Sequence, residues 1–183
     1  KMLRENLGQF YNLSLTAEDS MKIKMYKHLA KRKSIKKEFT DIEDYLSSLE
    51  LKITIFENDK SIIPRMSQMC QKTNQFNLTT KRYTEIDVKN FINDLDTDVY
   101  AFSVSDKFGD SGVTGLSIVT VNKATETAEI DTLLMSCRVL GRNIEYAFID
   151  YIIEKINDKK INVINARYIK TPKNEHVKDF YDK

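Results

Sequence analysis

The sequence predicts an α/β (α+β) fold: a mixed, mainly antiparallel sheet flanked by helices and preceded by a helical connector. Three observations predict it. From residue 51 onward the hydrophobic periodicity gives the order strand, helix, helix, three strands, helix, strand, helix. Two alternating runs, Val99 to Ser105 and Val113 to Val121, are joined by Asp106-Lys-Phe-Gly-Asp-Ser-Gly112, which has the composition of a hairpin turn. Finally, Asp131 to Ile156 runs from a strand into a helix through a single glycine, Gly141.

Residues 1 to 15 carry apolar positions at Leu3, Leu7, Phe10 and Leu13 without a regular period. Thr16-Ala-Glu-Asp19 opens a helix with a capping hydroxyl and an acid three residues on, and Met21, Met25, Tyr26 and Leu29 form its apolar stripe. The other side is basic, with Lys22, Lys24, Lys27, Lys31, Arg32, Lys33, Lys36 and Lys37. A solvated face accounts for such a run; a polyanion patch is the alternative. Thr40-Asp-Ile-Glu43 starts a short helix through Leu49, and Leu51 to Phe56 alternates as a strand. From Ser61 a helix carries Ile62, Ile63, Met66, Met69 and Cys70, with Pro64 tolerated because it falls in the first turn. Lys72 to Arg82 is polar and poor in turn-formers. It reads as a surface connection or, through Asn74, Gln75, Phe76, Asn77, Thr79, Thr80 and Arg82, as a loop that recognises a polar substrate. Thr84 to Ile92 is a short helix, and Ala128 to Cys137 a third strand of the meander. Asp106 and Asp110 suit turn chemistry better than metal ligation. Ile161 to Tyr168 is the last strand, and Asn174 to Tyr181 begins a helix with Val177 and Phe180 facing inward.

The strand-to-helix junction carries the chemistry. Ile130, Thr132, Leu134 and Ser136 alternate with Asp131, Leu133, Met135 and Cys137, uninterrupted by Gly or Pro, as a strand buried on both faces requires. Beyond it Ile144, Ala147, Phe148, Tyr151, Ile152 and Ile156 recur at helical spacing. Burial is worth roughly 1.5 to 3 kcal/mol per side chain, so packing on a sheet holds this helix more than its own propensity does. Between the two lie Arg138 to Asn143. Their amides, at a helix N-terminus, lack intrahelical partners and carry the positive end of the helix dipole. A pyrophosphate is a natural ligand for such a junction.

With 183 residues, 41% hydrophobic and 31% charged, the chain suffices for one main domain. A formal net charge of +2 gives no ground for nucleic acid, and no apolar run reaches the roughly 18 residues of a membrane span. Cys70 and Cys137 each fall on an element expected to be buried, without metal-ligand spacing. Reduced thiols in a cytoplasm and no metal are the simple reading. His28 and His176 belong to no nucleophile pattern. Lys1 stands where a natural start would have Met, so the chain reads as a fragment.

The order of elements resembles the Gcn5-related N-acetyltransferase (GNAT) fold. Arg138-x-x-Gly141-x-Asn143 resembles that superfamily's Q/R-x-x-G-x-G/A pyrophosphate loop, and Asn174-x-x-Val177-x-x-Phe180-Tyr181 its terminal-helix signature. A narrower match rests on Lys72 to Tyr83, Asp106-Lys-Phe-Gly-Asp110, Ser136-Cys-Arg-Val-Leu-Gly-Arg142 and Thr171-x-Lys-Asn174 in this order. Together they resemble the carboxy-terminal part of FkbH-like proteins, a branch (subfamily IIIC) of the haloacid dehalogenase (HAD) superfamily phosphatases. Leu15-Thr-Ala-Glu-Asp19, Met25-Tyr26, Arg32 and Asp44-Tyr-Leu-Ser-Ser-Leu49 resemble that family's connector. The resemblance implies that residues 1–50 are a helical connector from an N-terminal HAD-like domain of the same polypeptide. Residues 51–183 are then a GNAT-like acyltransferase domain, cut before its last strands. The DxDxT phosphoryl-transfer motif of the HAD half does not occur, and Asn143 replaces the small residue usual in the loop.

Acyl transfer is the activity implied by the resemblance. The thioester of coenzyme A, or of the phosphopantetheine of an acyl-carrier protein, would lie along the strand ending at Cys137, its amides pairing with the strand backbone. Val139, Leu140, Gly141, Arg142 and Asn143 would hold phosphate through their amides, Arg142 adding charge, with Ser136, Cys137 and Asn174 completing the cofactor set. Tyr181 is the candidate acid, since a phenol of pKa about 10 stays protonated at neutral pH; a packed tyrosine is the alternative. Glu129 and Asp131 share one strand face and are candidate bases, directly or through water, or else strand-edge carboxylates. Cys137 has Arg138 beside it but no histidine nearby in sequence, so an inert thiol competes with a nucleophile. The expected function is thus handling of an acyl or glyceryl thioester in a cytoplasmic polyketide- or polysaccharide-type pathway. Its partners would be acyl-CoA or acyl-carrier protein, with neither membrane nor nucleic acid. The alternative is a non-catalytic module that docks carrier protein or substrate for the phosphatase-like half.

Overall fold

The computed structural model describes residues 27–32 and 34–182. The chain divides into two compact units, one ending at Tyr45 and one starting at Leu46. The apolar positions at Leu3, Leu7, Phe10 and Leu13, the helix start at Thr16, and Lys22, Lys24 and Lys33 lie outside the described residues. In the first unit residues 27–32 are helical, with Lys27, Lys31, Lys36 and Lys37 exposed and Arg32 buried. Among the described residues of the basic run, Arg32 is the one turned inward. Phe39 meets the Tyr45 ring edge-on at 5.9 Å. Helix α1 (Ile42–Ser48) starts where Asp41 Oδ1 accepts from the Glu43 amide at 2.6 Å.

The second unit is built on strands β1 (Lys52–Glu57), β2 (Phe76–Asn77), β3 (Thr97–Asp106), β4 (Gly109–Asn122), β5 (Thr127–Met135) and β6 (Val163–Ala166). They form one sheet in the order β1-β3-β4-β5-β2, with β6 also paired to β5. The β5–β6 pairing is parallel and the rest antiparallel. Helices α2 (Ile63–Lys72) and α3 (Glu85–Asn93) cover one face, packing Met66, Met69, Cys70, Val88 and Ile92 on Ala101, Ile118 and Leu134. Helix α4 (Ile144–Asp158) covers the other, with Phe148, Ile152 and Ile156 on Phe102, Val119 and Ile130. Local chemistry sets the helix starts. Pro64 sits in the first turn of α2, and Thr84 caps α3 through a reciprocal box with Asp87.

Several elements depart from the pattern in the sequence. The β3–β4 hairpin is tighter than the run of glycines and aspartates suggests: Asp106 already pairs with Gly109. Asp106 Oδ1 accepts from the Phe108 amide at 2.9 Å and Asp110 Oδ1 from the Gly112 amide at 2.7 Å, as turn aspartates do. In β5, Ile118 pairs with Thr132 and Val119 with Ile130, which leaves Asp131 as an extra residue. This bulge breaks the alternation, so Ile130 joins Leu133 and Met135 on the α4 face while Leu134 faces α2. Strand β5 also ends at Met135, not Cys137. The helix expected from Asn174 is replaced by two short 3-10 turns, Glu175–Val177 and Phe180–Asp182, closed by bonds such as Lys178 N to Glu175 O at 3.3 Å.

Gly115 illustrates how closely the sheet packs. A Cβ there would lie 1.7 Å from Phe102 Cε1, because that buried ring lies over the glycine and stacks edge-on against Phe148 at 4.6 Å. Gly115→Ala is expected to lower unfolding free energy in urea by about 1 to 3 kcal/mol, the usual cost of overpacking; an unchanged midpoint would contradict this packing.

Candidate functional site

One edge of β5 is bonded by β4. Its other edge is shared: β6 pairs with Thr127 to Ile130, and β2 pairs with Leu134 and Met135. Leu78 N donates to Leu133 O at 3.1 Å, and Ile169 N donates to Leu78 O at 2.7 Å. Residues Phe76 to Leu78 therefore form a wedge between β5 and the chain leaving β6. Phe76, Asn77, Leu78 and Thr79 are all buried, and Phe76 meets Phe180 edge-on at 5.2 Å.

Two asparagines fix the wedge. Asn174, fully buried, donates through Nδ2 to Asn77 O at 2.9 Å and Ile169 O at 3.0 Å. Its Oδ1 accepts from the Thr171 amide at 2.7 Å and from Tyr168 Oη at 3.3 Å. An amide with both donors and its carbonyl engaged has nothing left for a cofactor, so Asn174 is a structural tie here. Asn77 Nδ2 donates to Thr73 O at 3.2 Å, and its Oδ1 accepts from the Thr80 amide at 2.8 Å, where Thr80 adopts φ 56°. Arg82 donates to Cys70 O, to Thr73 O at 2.9 Å and to Asn74 Oδ1. Of the residues expected to recognise substrate, Asn77, Thr80 and Arg82 build the loop itself, and Asn74, Gln75 and Phe76 face cavities.

The junction after β5 keeps part of its expected geometry. Ser136 N donates to Thr114 O at 2.7 Å, Cys137–Val139 form a 3-10 turn, and Val139 N is satisfied by Ser136 O at 3.1 Å. The amides of Leu140, Gly141 and Asn143 meet no protein acceptor among the described residues. Gly141 has φ 72° and Asn143 φ 58°, and these left-handed residues turn the chain into α4. Arg142 departs from expectation. It is buried, donating from Nη2 to Arg138 O at 2.8 Å and pairing with Asp106 at 3.4 Å, so it anchors the loop to the hairpin and does not face a ligand.

The candidate acid and bases are likewise engaged or enclosed. Asp131 accepts from Tyr83 Oη at 2.7 Å, from Thr132 Oγ1 at 3.0 Å and from Lys81 Nζ. Burial, and then its bond to Asp131, push the Tyr83 phenol well above its ordinary range. Glu129 pairs with Arg167 at 3.1 Å. Tyr181 Oη is buried with no hydrogen-bond partner; burial raises its pKa, and it lines neither cavity.

Two cavities flank the wedge. One of about 340 Å³ lies on the α2 side, lined by Arg65, Lys72, Asn74, Gln75, Cys137 and Arg138 among others. The second, of about 220 Å³, lies beside Gly141 and is lined by Phe76, Glu145, Tyr146, His176 and Asp179 among others. Cys137 is exposed at the first cavity, correcting the expectation of a buried thiol, whereas Cys70 is buried. Arg65, Gln68 and Lys72 meet Arg138 here, a convergence the sequence left unmarked because α2 and the loop after β5 are far apart in the chain. Among the described residues no group of three or more His, Cys, Asp or Glu side chains is arranged to hold a metal, and no helix is long and apolar enough to cross a membrane.

Solved structures share this fold. A ribosomal-protein-alanine N-acetyltransferase from Brucella melitensis biovar Abortus 2308 matches with TM-score 0.50 and 11% identity over 72% of this chain and 88% of its own. A possible acetyltransferase from Clostridium difficile 630 matches with TM-score 0.52 and 16% identity over 71% and 87%. A transcriptional regulator from Bacillus halodurans C-125 matches with TM-score 0.52 and 16% identity over 72% and 90%. At such identities the likeness is one of fold, and the fold is that of the GNAT acetyltransferases. No protein-family model and no curated protein matches the chain.

The two thiols should differ sharply in reactivity. Burial pushes the Cys70 thiol up to about 11, which leaves little thiolate near pH 8, and the same burial blocks access. Iodoacetamide is expected to modify Cys137 in the native protein and Cys70 only after unfolding, as read by mass spectrometry. Native modification of Cys70 would contradict the packing of α2.

Proposed function

We propose that the unit from Leu46 onward is a GNAT-type acyltransferase domain that takes an acyl or glyceryl thioester of coenzyme A or acyl-carrier protein. The observation carrying this reading is the set of unmet amides at Leu140, Gly141 and Asn143, opening at the N-terminus of α4 beside a cavity, in an acetyltransferase fold. The FkbH-like context rests on the sequence motifs alone. It includes the polyketide- or polysaccharide-type pathway, the cytoplasmic setting, the connector over residues 1–50 and the HAD-like partner domain.

The cofactor's two ends fit the site differently. The phosphate end suits the open amides, although Glu145, with a buried and unpartnered Oε2, and Asp179 line the same cavity and disfavour added negative charge. The pantetheine arm does not fit while Phe76 to Leu78 hold the β5 edge, because the backbone groups it would pair with are already bonded. With the wedge in place, the β5 edge has no room for the thioester. Re-exposing Phe76 and Leu78 costs roughly 1.5 to 3 kcal/mol each, so displacement lowers apparent affinity by about a thousandfold. That turns a micromolar site into one near millimolar. Tyr181, in line for the acid, has a buried hydroxyl and has to be uncovered to reach a substrate.

A second reading is favoured by the wedge itself: a non-catalytic module that keeps the fold and docks carrier protein or substrate for a phosphatase-like half. Calorimetry with coenzyme A and with phosphopantetheine separates the two. The acyltransferase reading predicts binding near millimolar in the wild type, tightened about tenfold or more by Phe76→Ala, which loosens the wedge. Tyr181→Phe then lowers turnover more than about tenfold and leaves binding alone. Absence of binding in both the wild type and a folded Phe76→Ala variant would leave the docking module.

A further inference from the structure

The smaller cavity, beside Gly141, has a lining that the thioester reading leaves unused. Two carboxylates, Glu145 and Asp179, share it with the rings of Phe76, Tyr146 and Phe180. Three separate stretches supply them: Phe76 comes from β2, Glu145 and Tyr146 from the first turn of α4, and Asp179 and Phe180 from the segment after β6. The rings form one wall, in which Tyr146 stacks on Phe180 at 5.6 Å and Phe76 meets Phe180 edge-on at 5.2 Å. A stacked pair keeps one face of each ring turned outward, and an aromatic face attracts a cation. Glu145 adds an uncompensated charge. Its Oε2 is buried without a hydrogen-bond partner, and neither its carboxylate nor that of Asp179 has an ion pair among the described residues. A buried oxygen without a donor carries a desolvation cost that a nearby cation offsets through space. The N-terminus of α4 opposes this with about half a unit of positive charge, and two carboxylates outweigh it.

From this lining we infer that the cavity beside Gly141 binds a small organic cation, a quaternary ammonium of the size of choline. Such an ion spreads its charge over a methyl-covered surface, so the same group suits apolar rings and carboxylates together. The volume of about 220 Å³ lies below the usual span of ligand sites, roughly 300 to 1,000 Å³, which selects a compact ligand. A metal ion fits less well, because among the described residues no group of three or more His, Cys, Asp or Glu side chains is arranged to hold one. The site goes beyond the acyltransferase reading, which uses the open amides before α4 and not these carboxylates.

The experiment follows calorimetric heat and the nuclear magnetic resonance shift of the Gly141 amide in the full chain at pH 8. The chain is titrated with choline, with 3,3-dimethylbutan-1-ol, which is its uncharged analogue of the same shape, and with sodium chloride at equal ionic strength. Choline should saturate with a dissociation constant near millimolar, the usual yield of so small a ligand, and move the Gly141 amide. The alcohol should bind at least about tenfold more weakly, and sodium should not move the amide. Asp179→Asn, at an exposed position, should weaken choline about tenfold, and Tyr146→Leu should weaken choline without weakening the alcohol; both are checked for folding by circular dichroism. Equal binding of choline and the alcohol, an equal shift from sodium chloride, no saturable response to choline, or unchanged choline affinity in both folded variants would overturn the site. Coenzyme A appears in none of these arms, so failure here is distinct from failure of the acyltransferase reading.

Discussion

The side-chain amide of Asn174 is the constraint on which the site depends. Its two N–H groups bind the carbonyls of Asn77 and Ile169, and its oxygen receives the Thr171 amide, so one buried side chain joins the loop after α2 to the chain after β6. In a buried setting each bond broken leaves a polar group unsatisfied, at roughly 1 to 3 kcal/mol apiece. The knot therefore holds Phe76 to Leu78 against β5 more firmly than a surface loop would be held. A fold whose central strands separate beyond the Ile130–Ala166 pair is filled there by its own backbone.

Two further polar devices steer the same strand. The bulge at Asp131 re-aims β5, and its carboxylate is consumed by Tyr83, Thr132 and Lys81. The buried pair of Arg142 and Asp106 ties the loop before α4 to the β3–β4 hairpin. With these charges spent on structure, what the loop before α4 leaves open is its backbone, at the amides of Leu140, Gly141 and Asn143. On the α2 side, Arg65, Lys72 and Arg138 line the larger cavity.

Much of the fold was legible because hydrophobic period and turn chemistry are local. The alternation of Val99 to Val121, the Thr84 capping box, Pro64 in a first turn and the stripe of α4 each depend on residues close in sequence. The resemblance to the GNAT loop at Arg138 to Asn143 likewise led to the right architecture. What escaped the sequence was non-local. Strand β2 is two residues long and exists because β5 offers an edge, so Phe76 and Asn77 carry no period of their own. The extra residue at Asp131 shifts Ile130 to the other face, which strict alternation cannot foresee. Lys170 and Glu175 pair at 2.7 Å beside the Asn174 knot, and the segment expected to be helical is broken into short turns. Arg142 looked like a ligand-facing cation because its partner Asp106 lies across the sheet. Asn74 and Gln75 did reach a cavity, but Arg138, which lines it too, comes from a loop distant in the chain.

The wedge itself is best tested by native-state hydrogen exchange, resolved to single amides by nuclear magnetic resonance, at Leu78 and Ile169. If Phe76 to Leu78 is an integral part of the sheet, both amides exchange as slowly as those at the centres of β4 and β5, because they open only with the surrounding core. Exchange at the rate of exposed loops, with β4 and β5 still protected, would show that the edge of β5 is open, and the wedge could no longer set what binds there.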